Sequence, residues 1–202
     1  MSTKRLVYIA IFTALTVVGG LISVPIPFTQ VEISLQTPIV IAAGLFLGGI
    51  DGALAVLIYV VMGLLGLPVF TKGGGIGYVL MPSFGYLIGF PIGAFVAGAL
   101  CTRMKRVTRG RAFVAGLCGM IPIYVIGATY QVLILYYYTG STLAAAVGGL
   151  PAIAVLAVKD AVLCGFAAAL YPSVCRATGL RRSRNVRKEK PRTSSQENGF
   201  TI

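Results

Sequence analysis

The stretch PIVIAAGLFLGGIDGALAVLIYVVMGLLG, residues 38–66, decides how many helices this chain forms. Taken without a break it is one long apolar helix. The sequence GGIDG at 48–52 divides it into two short helices, because closely spaced glycines and an acidic residue favour a turn. The chain then contains either five or six apolar segments, and the flanking charges distinguish the two possibilities.

The composition is typical of an integral membrane protein. Of the 202 residues, 57% are hydrophobic and 11% are charged, and the mean hydropathy is +0.90. Soluble domains carry about 25% charged residues. The 26 glycines suit close-packed helices better than a barrel, whose sequence would show short alternating strands. The sequence therefore predicts an all-α membrane protein in contact with the lipid bilayer.

The positive charges are confined to short segments between and beyond the apolar runs. Fifteen of the 17 Lys and Arg residues lie at 4–5, at 103–111 and from 176 onward. Cytoplasmic loops carry such an excess of cations, so segments 4–5 and 103–111 are both expected in the cytoplasm, separated by an even number of helices. That condition requires the break at 48–52. The clustering also argues against nucleic acid as a partner, since binding it calls for a basic stripe along a groove.

The predicted fold is a six-transmembrane-helix bundle in the cell membrane, with both termini cytoplasmic. The helices are expected at about 6–24, 36–48, 52–66, 85–102, 112–138 and 151–176. Residues 1–177 are predicted to form this domain. Residues 178–202 are predicted to be a basic, disordered cytoplasmic tail, because they contain few apolar residues.

The sequence lacks the residue patterns of common catalytic sites. It contains no histidine and no Gly-x-Ser-x-Gly elbow, and the glycine run KGGGIG at 72–77 does not have the order of a phosphate-binding loop. Its four cysteines form no C-x-x-C pair. We therefore expect neither an enzyme nor a bound metal or cofactor, and any ATP-driven work must come from a partner.

Two segments between predicted helices, 24–38 and 66–87, are too apolar for solvated loops and too rich in Pro and Gly for helices. They are predicted to fold onto the protein and cap a pocket on its outer side. The alternative is a pair of partly buried connections with no function.

Three stretches then follow one another in a familiar order: ISLQTPIVIAAGLFLGG, LIYVVMGLLGLPVFTKGGGIG and PSFGYLIGFPIGAFVAG. They resemble BioY, the biotin-binding S component of energy-coupling-factor (ECF) transporters. The resemblance extends over about residues 5–175, and SLQT at 34–37, GLPVF at 66–70 and GYLIGFPIGAF at 85–95 are its most specific parts. It implies six helices and capture of a vitamin from outside. A separate transmembrane coupling subunit with two ATPase subunits would then drive release inward.

Biotin or a related vitamin requires an acceptor for its ureido N–H groups, a donor or cation for its carbonyl and carboxylate, and aromatic walls. The candidate polar groups near the outer half of the chain are Gln36, Thr37, Tyr78, Tyr86, Lys159 and Asp160. Phe70 and Phe84 are candidate walls for the ligand rings.

Lys159 and Asp160 stand side by side in the apolar stretch AVLAVKDAVLCGFAAAL, residues 154–170. Each costs about 2.5–3.5 kcal/mol at the centre of a spanning helix, so a use for both is expected. Lys159 matches the lysine of the last helix in BioY, but Leu156 stands where that family has an aspartate. Asp160 is the candidate to take over the role of this aspartate, but it points about 100° away from Lys159 around the helix and does not simply occupy the lost position. Alternatively the two charges neutralise each other or pair with Gln131 or a tyrosine of the fifth helix, as a structural device.

Ala10 and Ala14 form an Ala-x-x-x-Ala pattern in the first helix, which in many S components meets the coupling subunit. Small residues four apart let helices approach closely, and packing inside this chain is the alternative. Gly85, Gly89, Gly93 and Ala97 repeat the spacing in the fourth helix, where internal packing is favoured.

Two departures from the BioY pattern make the sequence compatible with more than one ligand. The last-helix aspartate is absent, and the fourth helix is entered through MPSFGY at 81–86 where the family commonly has Gly-Pro-Thr-Gly-Gly-Tyr. An S component for another small vitamin or a biotin precursor is therefore the alternative function. A non-transport membrane scaffold protein is a more distant one.

Overall fold

The computed structural model describes residues 3–25, 32–104, 107–140, 142 and 147–178. Within these residues the chain forms six α-helices: α1 (Thr3–Leu21), α2 (Gln36–Leu47), α3 (Gly49–Leu64), α4 (Phe84–Arg103), α5 (Arg109–Leu133) and α6 (Leu150–Thr178). An antiparallel ribbon of β1 (Ser23–Val24) and β2 (Ile33–Ser34) lies between α1 and α2. A 3₁₀ helix (Ile76–Leu80) precedes α4, and a π-helical turn (Ile134–Tyr138) extends α5.

Four of the six described helices are long and apolar enough to cross a bilayer. They are α1, α4, α5 together with its π-helical turn, and Ile153–Cys175 of α6. Large apolar side chains face outward along them, as Val155, Val162 and Phe166 do on α6. The chain is an integral membrane protein built from helices, as its composition predicts. Residues 179–202, almost all of the predicted tail, lie outside the described residues.

The 38–66 stretch forms two helices, with the break at Gly48. The backbone of Gly48 has φ 84° and ψ 171°, a conformation that side chains disfavour and glycine tolerates. Its N–H donates to Gly44 O at 2.8 Å and closes α2. The sequence predicts that α3 begins at 52, whereas it begins at Gly49. Asp51 lies in the first turn of α3, where a negative charge stabilises a helix rather than delaying it.

α2 and α3 fold back against each other from this break. Gln36 Nε2, in the first residue of α2, donates to Tyr59 OH in α3 at 2.5 Å, so the ends far from the break are joined. Near the break the backbones touch, because a Cβ atom at Gly52 would overlap Gly44. α4 packs across the same point, where a Cβ at Gly98 would overlap the backbone of the break.

The small residues spaced by four in α4 pack inside the molecule, as predicted. Cβ atoms at Gly89 and Gly93 would overlap Ile123 of α5, and Gly85 lies against Tyr130 of the same helix. The absence of side chains therefore lets α4 and α5 approach at backbone distance.

One end of the bundle is basic, and the other end is polar and carries charges of both signs. The Arg5 guanidinium pairs with Asp51, so α1 begins beside the break between α2 and α3. α4 ends and α5 begins there too, because Gly98 packs on the break and only residues 104–108 separate the two helices. The described cations at this end are Lys4, Arg5, Arg103, Arg109 and Arg111. Lys72 and Lys159 belong to the opposite end.

Candidate ligand-binding site

A cavity opens at the end of the bundle opposite the basic residues. It encloses about 530 Å³, counting the part open to solvent. Its polar lining comprises Glu32, Ser34, Gln36, Thr37, Thr71, Tyr78, Ser83, Tyr86, Tyr124, Lys159 and Asp160. Its apolar lining comprises Leu87, Phe90 and Leu156.

Lys159 and Asp160 both face this cavity although they are neighbours on α6. The lysine stem bends so that Nζ lies 2.6 Å from Asp160 Oδ1. Nζ also donates to Ser34 O of β2 at 2.5 Å, which ties α6 to the ribbon. The flexible stem of lysine makes this possible, since two adjacent helical residues point about 100° apart.

The Asp160 carboxylate is buried, and its two oxygens have different neighbours. Only 3% of the residue is exposed. Tyr124 OH, from α5, donates to Oδ2 at 2.6 Å. Oδ1 is close to the Lys159 ammonium but has no hydrogen-bond geometry with it or with any other described group. The Lys159 ammonium compensates the charge of this oxygen, and the ion pair lies on the lining of the cavity.

Two tyrosines form the wall next to this carboxylate. The rings of Tyr86 and Tyr124 meet edge to face, with centroids 6.0 Å apart and planes at 81°. Tyr86 OH donates to Gln131 Oε1 at 3.3 Å. Of the partners that the sequence offers for Asp160, the structure pairs it with both Lys159 and a tyrosine of α5, while Gln131 bonds to Tyr86.

Gln36 and Thr37 line the cavity from the first turn of α2. Both are buried, and Gln36 is held by Tyr59, so its amide is oriented before any ligand arrives. Gly20 of α1 lies directly behind the amide, where a Cβ would come within 3.2 Å of Gln36 Nε2.

The two predicted phenylalanine walls lie behind the lining rather than on it. Phe70 packs against Tyr59 and against Tyr78, with ring centroids 4.6 Å apart in the second pair. Tyr78 takes the lining position, and its OH is 3.0 Å from Thr71 Oγ1. Phe84 packs against Tyr130 of α5 at 6.0 Å. At Phe70 a tyrosine with a polar tip, Tyr78, stands on the lining instead, as its chemistry favours.

The mouth of the cavity carries a second pair of opposite charges. Glu32 Oε2 accepts from Ser23 Oγ at 2.6 Å across the β1–β2 ribbon. Lys72 Nζ lies 3.9 Å from Glu32 Oε1. The sequence predicts that the segments 24–38 and 66–87 cap a pocket, and their described residues do contribute Glu32, Ser34 and Thr71 to its lining.

Several lining residues are not among the candidate ligand-binding residues that the sequence predicts: Glu32, Ser34, Thr71, Ser83, Leu87, Phe90, Tyr124 and Leu156. Tyr124 is the most consequential, because it lies 36 positions from Asp160 and only the packing of α5 on α6 brings the two together. In the sequence, Tyr124 is marked only as a polar aromatic residue inside an otherwise apolar span.

Ala10 and Ala14 lie far from the cavity lining, on the outward face of α1. Both are exposed, together with Val7 and Val18. The opposite face, with Ile9 and Thr13, packs on the bundle. The alanine pair therefore does not pack inside the described part of this chain.

These features define a class: a helical integral membrane protein with a polar cavity at the end opposite the cluster of cations on α1, α4 and α5. A sequence model of the BioY family matches residues 1–179, and the chain belongs to that family.

Relatives and a solved structure support the same assignment. A protein of Lysinibacillus sphaericus described as a probable biotin transporter BioY is 48% identical over 129 residues, which cover 64% of this chain and 65% of that protein. A probable biotin transporter BioY of Pyrococcus horikoshii is 43% identical over 129 residues, or 63% of this chain and 74% of that protein. The crystal structure of an S-component for biotin from an ECF-type ABC transporter matches with a TM-score of 0.71 and 26% identity. That match covers 92% of this chain and 95% of the other.

Proposed function

We propose that this chain is the substrate-capture (S) subunit of an ECF-type uptake transporter in the cell membrane and that it binds biotin in the cavity. Membership of the BioY family, relatives described as biotin transporters and the similarity to a biotin S-component support this proposal. It assigns transport rather than catalysis to the chain. The observation that carries it is the Lys159–Asp160 ion pair, which lies on the cavity lining within an apolar helix, with its carboxylate buried.

The polar groups of the cavity are complementary to biotin. The ureido ring has two N–H donors, and Asp160 Oδ1 is an acceptor without a hydrogen bond. Lys159 supplies a cation for the ureido oxygen or the carboxylate. Phe90, Leu156 and the faces of Tyr86 and Tyr124 suit the thioether ring and the acyl chain.

Leu156 bears on the alternative ligands. It lines the cavity at the position where the BioY pattern has an aspartate. The carboxylate that this helix contributes to the lining is instead that of Asp160, one residue beyond the lysine. A biotin precursor or another small vitamin with paired N–H donors would satisfy the same oxygen. Biotin and these alternative ligands differ in the ring that would contact Leu156 and Phe90.

We propose further that α2 and α3 both cross the membrane, giving six spans with both termini in the cytoplasm. The clustering of the described cations at one end of the bundle supports this orientation. The outward-facing Ala10 and Ala14 then provide a close-packing surface for the transmembrane coupling subunit, which works with two ATPase subunits.

The binding of biotin by the purified full chain tests the proposal. Saturable binding is expected, and excess unlabelled biotin should compete better than dethiobiotin, thiamine or riboflavin. Asp160→Asn should weaken binding by about tenfold or more, because a charge-assisted hydrogen bond is lost. Asp51→Asn is the matched control, since Asp51 is also buried and paired with a cation but lies at the opposite end. Absence of saturable biotin binding, or equal losses in the two variants, would contradict the assignment.

A further inference from the structure

Lys72 and Glu32 form a pair of opposite charges that the biotin-binding groups described above do not use. Glu32 lies on the cavity lining just before β2, and one of its oxygens is fixed by Ser23. The Lys72 ammonium lies 3.9 Å from the other oxygen, and its side chain is 41% exposed. This contact is long and solvated, so it contributes little to stability.

The position of Lys72 leaves its ammonium available to a second anion. An ammonium has three N–H donors, and Glu32 occupies at most one of them. Glu32 is tethered to the β1–β2 ribbon and Thr71 precedes Lys72, and both line the cavity, so the Lys72 ammonium lies beside that lining. An acidic residue with no cation at the mouth would instead repel an anionic ligand.

The two ammonium groups of this end contact different residues of the segment that leads into β2. Lys159 Nζ bonds to Ser34 O, and Lys72 Nζ faces the side chain of Glu32, two residues earlier. In an extended chain the Cα atoms of two such residues lie about 7 Å apart. Biotin likewise has its ureido ring and its carboxylate at opposite ends, joined by a short acyl chain.

We infer that Lys72 binds the carboxylate of the ligand while the Lys159–Asp160 pair binds the ureido ring. Lys72 then bridges Glu32 and the ligand, and Lys159 donates to the ureido oxygen. The ligand enters ring first and lies with its carboxylate at the mouth. Lys72 is thus a residue that selects ligands with a terminal anion. This inference rests on the proposed function and specifies the orientation of the ligand within it.

A cycle of two ligands and two proteins tests the inference. The ligands are biotin and biotinamide, whose terminal group is a neutral carboxamide. The proteins are the full chain and its Lys72→Gln variant, with Lys4→Gln as a control that removes one cation at the opposite end. The wild type should bind biotin about tenfold more tightly than biotinamide, a preference that falls with added salt. Lys72→Gln should weaken the binding of biotin about tenfold and leave the binding of biotinamide unchanged. Lys72→Arg should restore the preference for biotin.

Each other outcome overturns the inference. Equal losses for both ligands in Lys72→Gln would make Lys72 a structural residue of the loop. No change for either ligand would remove it from the site. If the wild type binds biotin but does not distinguish it from biotinamide, the carboxylate has no cationic partner at the mouth. These results leave the proposed function standing, whereas a wild type that binds neither ligand removes that function as well.

Discussion

Lys159 lies nine residues beyond the start of α6, about 14 Å along the helix. A lone ammonium at that depth is expensive, and the structure provides it with two oxygens, from Asp160 and Ser34. These contacts are structural, and the proposed function adds a ligand-binding role, so substitutions must separate the two.

Lys159→Met should weaken biotin binding by about 2 kcal/mol or more, because a charge-assisted bond is lost, while the protein still purifies as a monodisperse species. It should also lower the thermal midpoint, since Asp160 is left without its cation. Val158→Met is the control, because Val158 points outward from the same turn of α6. In the double variant Lys159→Met, Asp160→Asn we expect stability to recover and binding to remain weak. Unchanged affinity in Lys159→Met would return the pair to a purely structural role.

Tyr124 positions the carboxylate to which we assign the ureido ring of the ligand. Tyr124→Phe removes the hydrogen bond to Asp160 Oδ2 and keeps the ring against Tyr86. We expect biotin binding to weaken by about 1 kcal/mol or more, measured by calorimetry on the purified protein. Tyr130→Phe removes a similar bond, to Val79 O, outside the cavity lining, and should leave binding unchanged. Equal effects of the two substitutions would argue against a positioning role for Tyr124.

The sequence predicts the chemistry of the cavity better than its walls. Lys159 and Asp160 are conspicuous because charges are rare in apolar helices, and both reach the cavity. Phe70 and Tyr78 lie in one loop and are both aromatic, and only the fold shows that Tyr78 faces the cavity while Phe70 packs behind it. Tyr124 depends on the contact between α5 and α6, which no local pattern encodes.

The exposed face of α1 is a property of the helix as a whole. Its buried residues recur at helical spacing, and Ala14 lies on the opposite side among apolar side chains. A lone membrane protein needs only apolar residues there, whereas a partner helix benefits from small ones.

Ala14→Trp should therefore leave biotin binding by the purified chain intact and abolish uptake when the chain is combined with the coupling and ATPase subunits. Leu15→Trp places the same bulk on another exposed part of α1 and should reduce uptake much less. Loss of binding together with uptake in Ala14→Trp would indicate packing inside the chain instead.

The division of 38–66 into α2 and α3 shows what charge and glycine patterns predict and what they do not. The positions of the cations require a break near 48–52, and Gly48 supplies it. The same argument places the start of α3 three residues too late, because GGIDG marks a turn without showing which of its residues begin the next helix. Dihedral angles and backbone contacts with Gly98 settle that point.

The charge asymmetry of the whole molecule leads to a test of its orientation. Lys72 and Arg109 are both exposed and lie at opposite ends of the bundle. Single cysteines at these positions, in a background without the four native cysteines, should react differently with a membrane-impermeant maleimide. Lys72→Cys should be labelled in intact cells and Arg109→Cys only after permeabilisation. Labelling of both from the same side would contradict the six-span topology.

The short α3 also has a consequence for the surrounding lipid. Leu57, Ile58 and Val61 face outward on it, yet its 16 residues extend only about 24 Å, against a hydrocarbon thickness of about 30 Å. If this side faces lipid, the acyl chains there must thin or tilt to cover it, whereas the 30-residue α5 with its π-helical turn imposes no such deficit. The hydrophobic mismatch is thus confined to one flank. The chain should be most stable in bilayers of shorter acyl chains, and in thicker ones a neighbouring protein on that flank would relieve the deformation.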